Sequence, residues 1–299
     1  PTGGIISSWG AIQLMVSVLN GDQPKLELLQ IAEGISISFA VTPLGAVFGL
    51  VASVLWIFAA IYSVGYMRGN KEANQTRFYV FYAMAVHAAL CIAYAGDLLT
   101  LFIFYEVLTF STYPLVTHKQ NELAQKAGRL YMSILVGTSV ILLLPAIIWV
   151  WVVTGSLEMS QNGVLDGNIN PKYAPYLLAM FVFGIGKAAL IPIHKWLPAA
   201  MVAPTPVSAL LHAVAVVKAG VFTMLLILTN VFGIEFLSKT GASNWLVWLA
   251  SFTLLTTSII AIYKDDLKAR LAYSTISQLS YITLGGCLLY TSPSPRDKH

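Results

Sequence analysis

The chain has 299 residues, of which 57% are hydrophobic and only 10% are charged, and its mean hydropathy is +0.75. Soluble domains average roughly 45–50% apolar and about 25% charged residues. A water-soluble fold would therefore lack the polar surface needed to cover so much apolar side chain. The composition predicts an integral membrane protein and excludes a disordered chain, a nucleic-acid binder and a cytosolic enzyme.

The apolar runs predict eight membrane-crossing helices, since one span needs about 20 mostly apolar residues. A shorter run, 5–19, is expected to be part of one more helix. The segment 24–42 partly alternates apolar and polar residues, which predicts an extramembrane hairpin that turns at Glu33 and Gly34. The eight predicted spans are 43–67, 78–95, 97–118, 128–154, 175–191 with a broken end that reaches 205, 206–232, 243–263 and 268–288.

Both ends of the chain are expected to be non-native. The chain opens at Pro1 without a methionine or the basic flank of a signal peptide. Its last residues, 289–299, form a polar tail that resembles translated sequencing-adapter read-through. We therefore assign the membrane domain to residues 1–288 and expect a fragment truncated at both ends.

The basic residues divide unequally between the two sides of the membrane, and cytoplasmic loops carry the excess of Lys and Arg. Only Lys25, Lys172 and Lys239 fall on one side. The other side is predicted to be cytoplasmic, in a multi-pass protein of the inner membrane. It holds Arg68, Lys71, Arg77, Lys119, Lys126, Arg129, Lys195, Lys264, Lys268 and Arg270.

Glu106, Lys187 and Lys218 lie inside predicted spans. A charge at the bilayer centre costs about 2.5–3.5 kcal/mol on insertion scales, so it normally faces a partner or a water-filled path. Burial lowers the pKa of a lysine and a nearby carboxylate raises it, so moving the carboxylate switches the lysine between holding and releasing a proton. With His212 six residues before Lys218, these residues predict a proton relay. A structural ion pair at each position is the alternative.

Prolines interrupt the chain after Lys187, and proline breaks a helix because it lacks a backbone N–H. Lys187 lies five residues before the first of them, about 7.5 Å along a helix, and is expected beside the break. His194, within the interrupted segment, is a second-tier relay candidate. Broken helices line cavities in many transporters, whereas a plain loop over 192–206 is the alternative. The prolines are Pro192, Pro198, Pro204 and Pro206.

Three further features have simpler interpretations. Asp97 is expected to cap the helix that begins after it, and His87 is expected to be a packing histidine. Gly45 and Gly49 form a GxxxG pattern, which usually serves helix packing.

Four long stretches together resemble the antiporter-like membrane subunits of Mrp-type cation/proton antiporters, respiratory complex I and membrane-bound hydrogenases. The resemblance covers about residues 5–287, and the part from Gly65 to Thr117 is most similar to the D-type proteins of Mrp antiporters. The four stretches are Gly65-Tyr-Met-Arg68, Phe104-Tyr-Glu-Val-Leu-Thr-Phe-Ser-Thr-Tyr-Pro114, Ala203-Pro-Thr-Pro-Val-Ser-Ala-Leu-Leu-His212 continuing through Lys218-Ala-Gly, and Asp266-Leu-Lys-Ala-Arg-Leu-Ala-Tyr-Ser-Thr-Ile-Ser-Gln278.

The resemblance implies an all-α polytopic membrane protein built as an inverted-repeat helix bundle, of which this chain is one part. It implies that Glu106 is the glutamate of the fifth helix and Lys187 the lysine of the broken seventh helix. Lys218 is then the connecting lysine of the eighth helix, with His212 on the same helix. Glu106 would tune Lys187, which would pass protons by way of His212 to Lys218.

Two functions follow as expectations from this resemblance. The first is a proton-translocating subunit that exchanges sodium or another monovalent cation for protons, within a complex of hydrophobic subunits. The second is a pumping membrane subunit of NADH:quinone oxidoreductase or a related redox-driven complex. A non-conducting scaffold is the third reading. No cofactor or metal is expected, because the chain carries no flavin, nicotinamide or iron–sulfur motif and its cysteines, Cys91 and Cys287, are isolated.

Overall fold

The computed structural model describes residues 2–210 and 215–288, and in this part the protein is helical apart from one β-hairpin. Two π-helical turns, Ser139–Leu143 and Ile227–Phe232, interrupt the α-helical pattern. The elements are α1 (Thr2–Leu19), β1 (Lys25–Ala32), β2 (Ile35–Ala40), α2 (Pro43–Gly69), α3 (Gln75–Ala93), α4 (Leu98–Val116), α5 (Glu122–Thr138), α6 (Leu144–Thr154), α7 (Ala174–Gly184), α8 (Trp196–Ala199), α9 (Thr205–Ala209), α10 (Val216–Leu226), α11 (Ile234–Thr240), α12 (Asn244–Ile262) and α13 (Leu267–Leu288).

Within the described residues, six stretches of helix are long and apolar enough to cross a membrane. A bent pair, Val216–Phe232 followed by Ile234–Thr240 at 76°, adds a seventh if the two form one span. Many large apolar side chains on these helices are exposed, as expected for surfaces that face lipid or other subunits. The predicted all-α membrane fold is therefore confirmed. The six are Thr2–Leu19, Pro43–Gly69, Gln75–Ala93, Leu98–Val116, Glu122–Thr154 and Asn244–Ile262.

The chain divides into two compact units, and the first comprises Pro1–Val136 and Ala199–Ala219. In this unit α1 packs along α2, and α3 packs along both α2 and α4. The helices approach closely at small residues: a Cβ on Gly45 would lie 2.2 Å from the carbonyl oxygen of Ala93, and one on Gly49 would lie 2.1 Å from the hydroxyl of Tyr94. The GxxxG pattern is therefore a packing site, as predicted.

The β-hairpin also belongs to the first unit. Its antiparallel strands β1 and β2 occupy the segment for which a hairpin was predicted, and Glu33 and Gly34 lie between them. The chain then enters α2 through Thr42, whose side chain accepts a hydrogen bond from the N–H of Gly45, with Pro43 as the first helical residue. Both are favourable helix-start features.

The second unit comprises Gly137–Pro198 and Gly220–His299. Here α12 packs along α13, and α7 packs against the π-helical turn that joins α5 to α6. Gly184, the last residue of α7, permits this contact, because a Cβ there would lie 2.6 Å from the backbone nitrogen of Leu143. Helix α7 ends at this close contact.

Two predicted spans differ from the observed helices. The predicted span 175–191 contains α7, which ends at Gly184, so the break begins at Ile185 and not at Pro192. Glycine is a poor helix former, and Gly184 and Gly186 flank Ile185 at the point where the helix stops. The predicted span 206–232 is likewise not one regular helix, because α9 ends at Ala209 and α10 begins at Val216, with 211–214 outside the described residues.

Candidate functional site

Lys187 is fully buried, with 0% of the residue exposed. It lies in a 3-10 turn, Gly186–Ala188, that follows the end of α7. The sequence predicted a position beside the break, and the structure places it within the break. A buried ammonium group costs several kcal/mol in lost hydration unless its surroundings compensate, so this lysine depends on the groups packed around it.

The backbone of the break is held by side chains from elsewhere in the unit. The carbonyl of Gly186 accepts hydrogen bonds from the indole Nε1 of Trp196 at 2.9 Å and from the backbone nitrogen of Ala189 at 3.1 Å. Farther along, the N–H of Ile191 donates to the hydroxyl of Thr253 at 3.3 Å. These bonds take the place of the helical ones that the break removes.

Helix α10 reaches the same turn through Gly220. A Cβ on Gly220 would lie 2.4 Å from the carbonyl carbon of Lys187 and 2.6 Å from the nitrogen of Ala188. Only glycine therefore allows the two backbones to touch at this point. The peptide group after Lys187 is thus packed directly against a helix.

His194 lies in a second 3-10 turn, Ile193–Lys195, in the same unit. Its ring centroid is 6.3 Å from that of Tyr273 on α13. Its Nδ1 is inaccessible to solvent and has no hydrogen-bond partner among residues 2–210 and 215–288. His194 therefore lies in the interrupted segment that follows Lys187, and its second-tier place in the relay stays a prediction.

Glu106 lies in the middle of α4, in the first unit, and is half-buried. Both of its carboxylate oxygens are inaccessible to solvent, and neither has a hydrogen-bond partner in the described part of the chain. On the same helix face, Thr109 is fully buried and donates to the carbonyl of Tyr105 at 3.1 Å. Buried carboxylates are normally hydrogen-bonded, so an unsatisfied one within a membrane span is a candidate for a functional position.

A polar contact fixes the helix that carries Glu106. The hydroxyls of Thr112 on α4 and Tyr131 on α5 are hydrogen-bonded, and both residues are fully buried. Near the end of α4, Gly128 of α5 lies so close that a Cβ would be 2.3 Å from the methyl group of Thr117, the residue after the helix. The sequence analysis did not identify this contact, because the hydroxyls come from separate helices.

Lys218 differs from its prediction. It was expected to be buried, but the structure exposes it on α10, between the buried residues Val217 and Ala219. Hydropathy places a residue in a span without showing which helix face packs inward, and this lysine lies on the outer face. Neither Lys218 nor Glu106 forms an ion pair with another described residue.

The predicted relay residues are divided between the two units. Lys187 and His194 share the second unit, whereas Glu106 and Lys218 belong to the first. His212 lies outside the described residues. Trp196, which contacts the break through the Gly186 carbonyl, was assigned no role from the sequence, although its position among the prolines was the available signal.

Two protein families match the chain. Residues 95–292 match the family described as NADH:quinone oxidoreductase/Mrp antiporter, TM. Residues 29–79 match the family described as NADH-ubiquinone oxidoreductase (complex I), chain 5 N-terminus. Glu106, Lys187 and Lys218 all fall within the first of these matches.

Curated relatives include proteins whose names describe them as antiporter subunit mnhA2. The protein from Staphylococcus haemolyticus (strain JCSC1435) is 28% identical over 271 residues, covering 87% of this chain and 33% of the relative. The protein from Staphylococcus aureus (strain MRSA252) is 32% identical over 254 residues, covering 83% of this chain and 30% of the relative. The chain thus spans about a third of the length of these relatives. Their names assign them to the A2 type, and the finer resemblance to the D-type proteins stays a prediction.

Solved structures show the same fold at low sequence identity. The Mrp complex from Dietzia sp. DQ12-45-1b contains a chain with a TM-score of 0.80 and 24% identity, covering 95% of this chain and 31% of that one. A chain of the membrane-bound sulfane sulfur reductase, an archaeal respiratory membrane complex, matches with a TM-score of 0.82 and 23% identity. The match covers 95% of this chain and 57% of that one. The predicted antiporter-like fold is therefore confirmed, and the chain belongs to the NADH:quinone oxidoreductase/Mrp antiporter family of membrane subunits.

Proposed function

We propose that the protein containing this chain exchanges a monovalent cation for protons across a membrane, and that Lys187 carries the proton. The observation that supports this most strongly is the position of Lys187, fully buried in the break after α7. A lysine in such a site can lose its proton when its surroundings change, because burial already disfavours the charged form. The relatives named as antiporter subunits favour cation exchange as the process it serves.

Glu106 is proposed to modulate Lys187. Its carboxylate oxygens are shielded from solvent and lack a hydrogen-bond partner in the described structure, so they remain available to interact with a neighbouring cationic group. A carboxylate favours the charged form of a lysine near it and a neutral carboxyl does not. We expect Glu106→Gln to impair transport and to alter its dependence on pH.

His212 and Lys218 are proposed to continue the relay beyond Lys187. The exposure of Lys218 on α10 fits this role, because a charge on a membrane helix needs polar groups or water around it. We propose that other subunits of a membrane complex supply such surroundings. The proposal also takes sodium as the transported cation. It places the protein in the inner membrane, with the basic loops on the cytoplasmic side.

A redox-driven pump is the second candidate. The fold match to an archaeal respiratory membrane complex and the complex I family match at residues 29–79 favour it. In that case redox chemistry in partner subunits would drive the same relay. Purifying the native complex separates the two functions, since flavin- or iron–sulfur-containing partners indicate the pump and small hydrophobic partners alone indicate the antiporter.

The proposal is tested in the complete protein, assembled with its partner subunits and reconstituted in vesicles. We expect Lys187→Ala to abolish sodium-driven proton movement, measured with a pH-sensitive dye, while the complex assembles normally. The matched control is Lys239→Ala, since the Lys239 side chain is 60% exposed and pairs with Glu235 on the surface. Proton flux near the wild-type rate in Lys187→Ala would refute the proposal.

A further inference from the structure

Trp196 donates a side-chain hydrogen bond to the residue that precedes Lys187. It is the first residue of the short helix α8, it is 0% exposed, and its indole Nε1 donates to the carbonyl oxygen of Gly186 at 2.9 Å. Both ends of this bond are in the second unit. A buried indole N–H normally finds a partner, and here the partner lies ten residues back along the chain.

The carbonyl of Gly186 belongs to the peptide group that includes the nitrogen of Lys187. Because a peptide group is planar, fixing that oxygen also fixes the orientation in which the backbone enters Lys187. The oxygen receives a second bond from the N–H of Ala189, which has a left-handed φ of 56°. Two donors from different directions therefore hold this one carbonyl.

The segment is held on both sides of Lys187 as well. Gly220 on α10 packs directly against the backbone of Lys187 and Ala188. The hydroxyl of Thr253 on α12 accepts a hydrogen bond from the N–H of Ile191, four residues after Lys187. Gly220 contributes van der Waals contact, whereas Trp196 contributes a side-chain hydrogen bond to the residue before the lysine.

We propose that Trp196 is a positioning residue that sets the location and proton affinity of Lys187 through the Gly186 carbonyl. This inference rests on the proposed role of Lys187 as proton carrier. Without the indole donor, the carbonyl of Gly186 loses a hydrogen bond. The 3-10 turn then changes its conformation so that this oxygen finds another donor. The lysine at the centre of the turn then moves relative to the groups that tune its proton affinity.

The test compares Trp196→Phe with Trp245→Phe in the complete reconstituted complex. Each variant removes one indole N–H and retains an aromatic ring. The Nε1 of Trp245 is also buried but has no hydrogen-bond partner among the described residues, which makes it the matched control. The readouts are the rate of proton flux and the pH at which that flux is half-maximal.

We expect Trp196→Phe to lower flux about fivefold, the equivalent of one lost hydrogen bond, and to shift the half-maximal pH. Trp245→Phe should leave both unchanged. The shift in pH separates positioning from simple instability, because a smaller amount of folded protein lowers the rate without moving the profile. A wild-type profile in Trp196→Phe would overturn the inference.

A shape-preserving replacement covers the case in which phenylalanine disturbs assembly. Benzothienylalanine at position 196 replaces the N–H with sulfur at nearly constant volume, and we expect it to give the same shift as Trp196→Phe. Failure of this variant to assemble would assign the bond to folding and overturn the positioning role. Proton flux near the wild-type rate in Lys187→Ala would instead contradict the proposed function. The experiments therefore distinguish failure of the positioning role from failure of the proposed function.

Discussion

Asp97 binds the hairpin to the membrane helices through Ser38, 59 residues earlier in the chain. One of its carboxylate oxygens accepts the backbone N–H of Ser38 at 2.8 Å and the hydroxyl of Ser38 at 2.7 Å. The other caps α4 by accepting the N–H of Thr100 at 2.7 Å. Asp97 itself is fully buried. A single carboxylate therefore both begins a helix and docks a strand.

We expect Asp97→Ala to lower the free energy of unfolding by about 3 kcal/mol, because it removes the acceptor for the Thr100 N–H and for the Thr100 and Ser38 hydroxyls. The hairpin should also undock, so that trypsin cleaves at Lys25 more rapidly. Thermal denaturation of the purified protein and limited proteolysis measure the two effects. Asp97→Asn keeps one acceptor oxygen and should be intermediate. An unchanged melting temperature in the alanine variant would show that the contact does not stabilise the fold.

Gly220 allows α10 to touch the turn around Lys187. We expect Gly220→Ala to destabilise the protein by about 1–3 kcal/mol, since the new methyl group would have to displace backbone atoms. Gly285→Ala is the control, because a Cβ at Gly285 meets nothing within 4 Å. That control should be neutral or slightly stabilising, as alanine favours a helix by about 1 kcal/mol over glycine. Equal melting temperatures for the two variants would contradict the close contact.

His118 predicts a dependence of stability on pH. It lies two residues beyond the end of α4, where burial, and next the charge of Arg77, lower its pKa below the ordinary value of 6.5, although Glu72 opposes them. The unfolded chain then binds more protons than the folded one below pH 6.5, so stability falls as the pH drops from 6.5 through the folded pKa. Melting temperatures between pH 7.5 and 5.0 should fall less steeply in His118→Gln. Parallel curves would rule out this histidine as the source.

Much of the fold could be predicted from composition and local signals. Apolar runs of sufficient length gave the long helices, because each helix must satisfy its own backbone in lipid. Asp97 was interpreted correctly as a cap because capping depends on neighbouring residues. The end of α7 was wrong by several residues, since the prolines were visible but the packing of Gly184 on Leu143 was not.

The candidate site was predictable in its residues but not in its arrangement. Lys187 was identifiable because a charge in an apolar run is rare. The exposure of Lys218 was not, because the sequence does not show which face of α10 packs. The contact between Trp196 and Gly186 also depends on how the broken segment folds back, which no local pattern specifies.

The most direct test of the proposal is proton flux in Lys187→Arg, measured in the reconstituted complete complex. Arginine retains the positive charge but does not release a proton at physiological pH. This single variant therefore distinguishes a lysine that carries protons from a lysine that provides only a fixed charge. We predict that flux is lost although the complex assembles. Flux at the wild-type rate would contradict the central claim and show that Lys187 provides only a fixed charge.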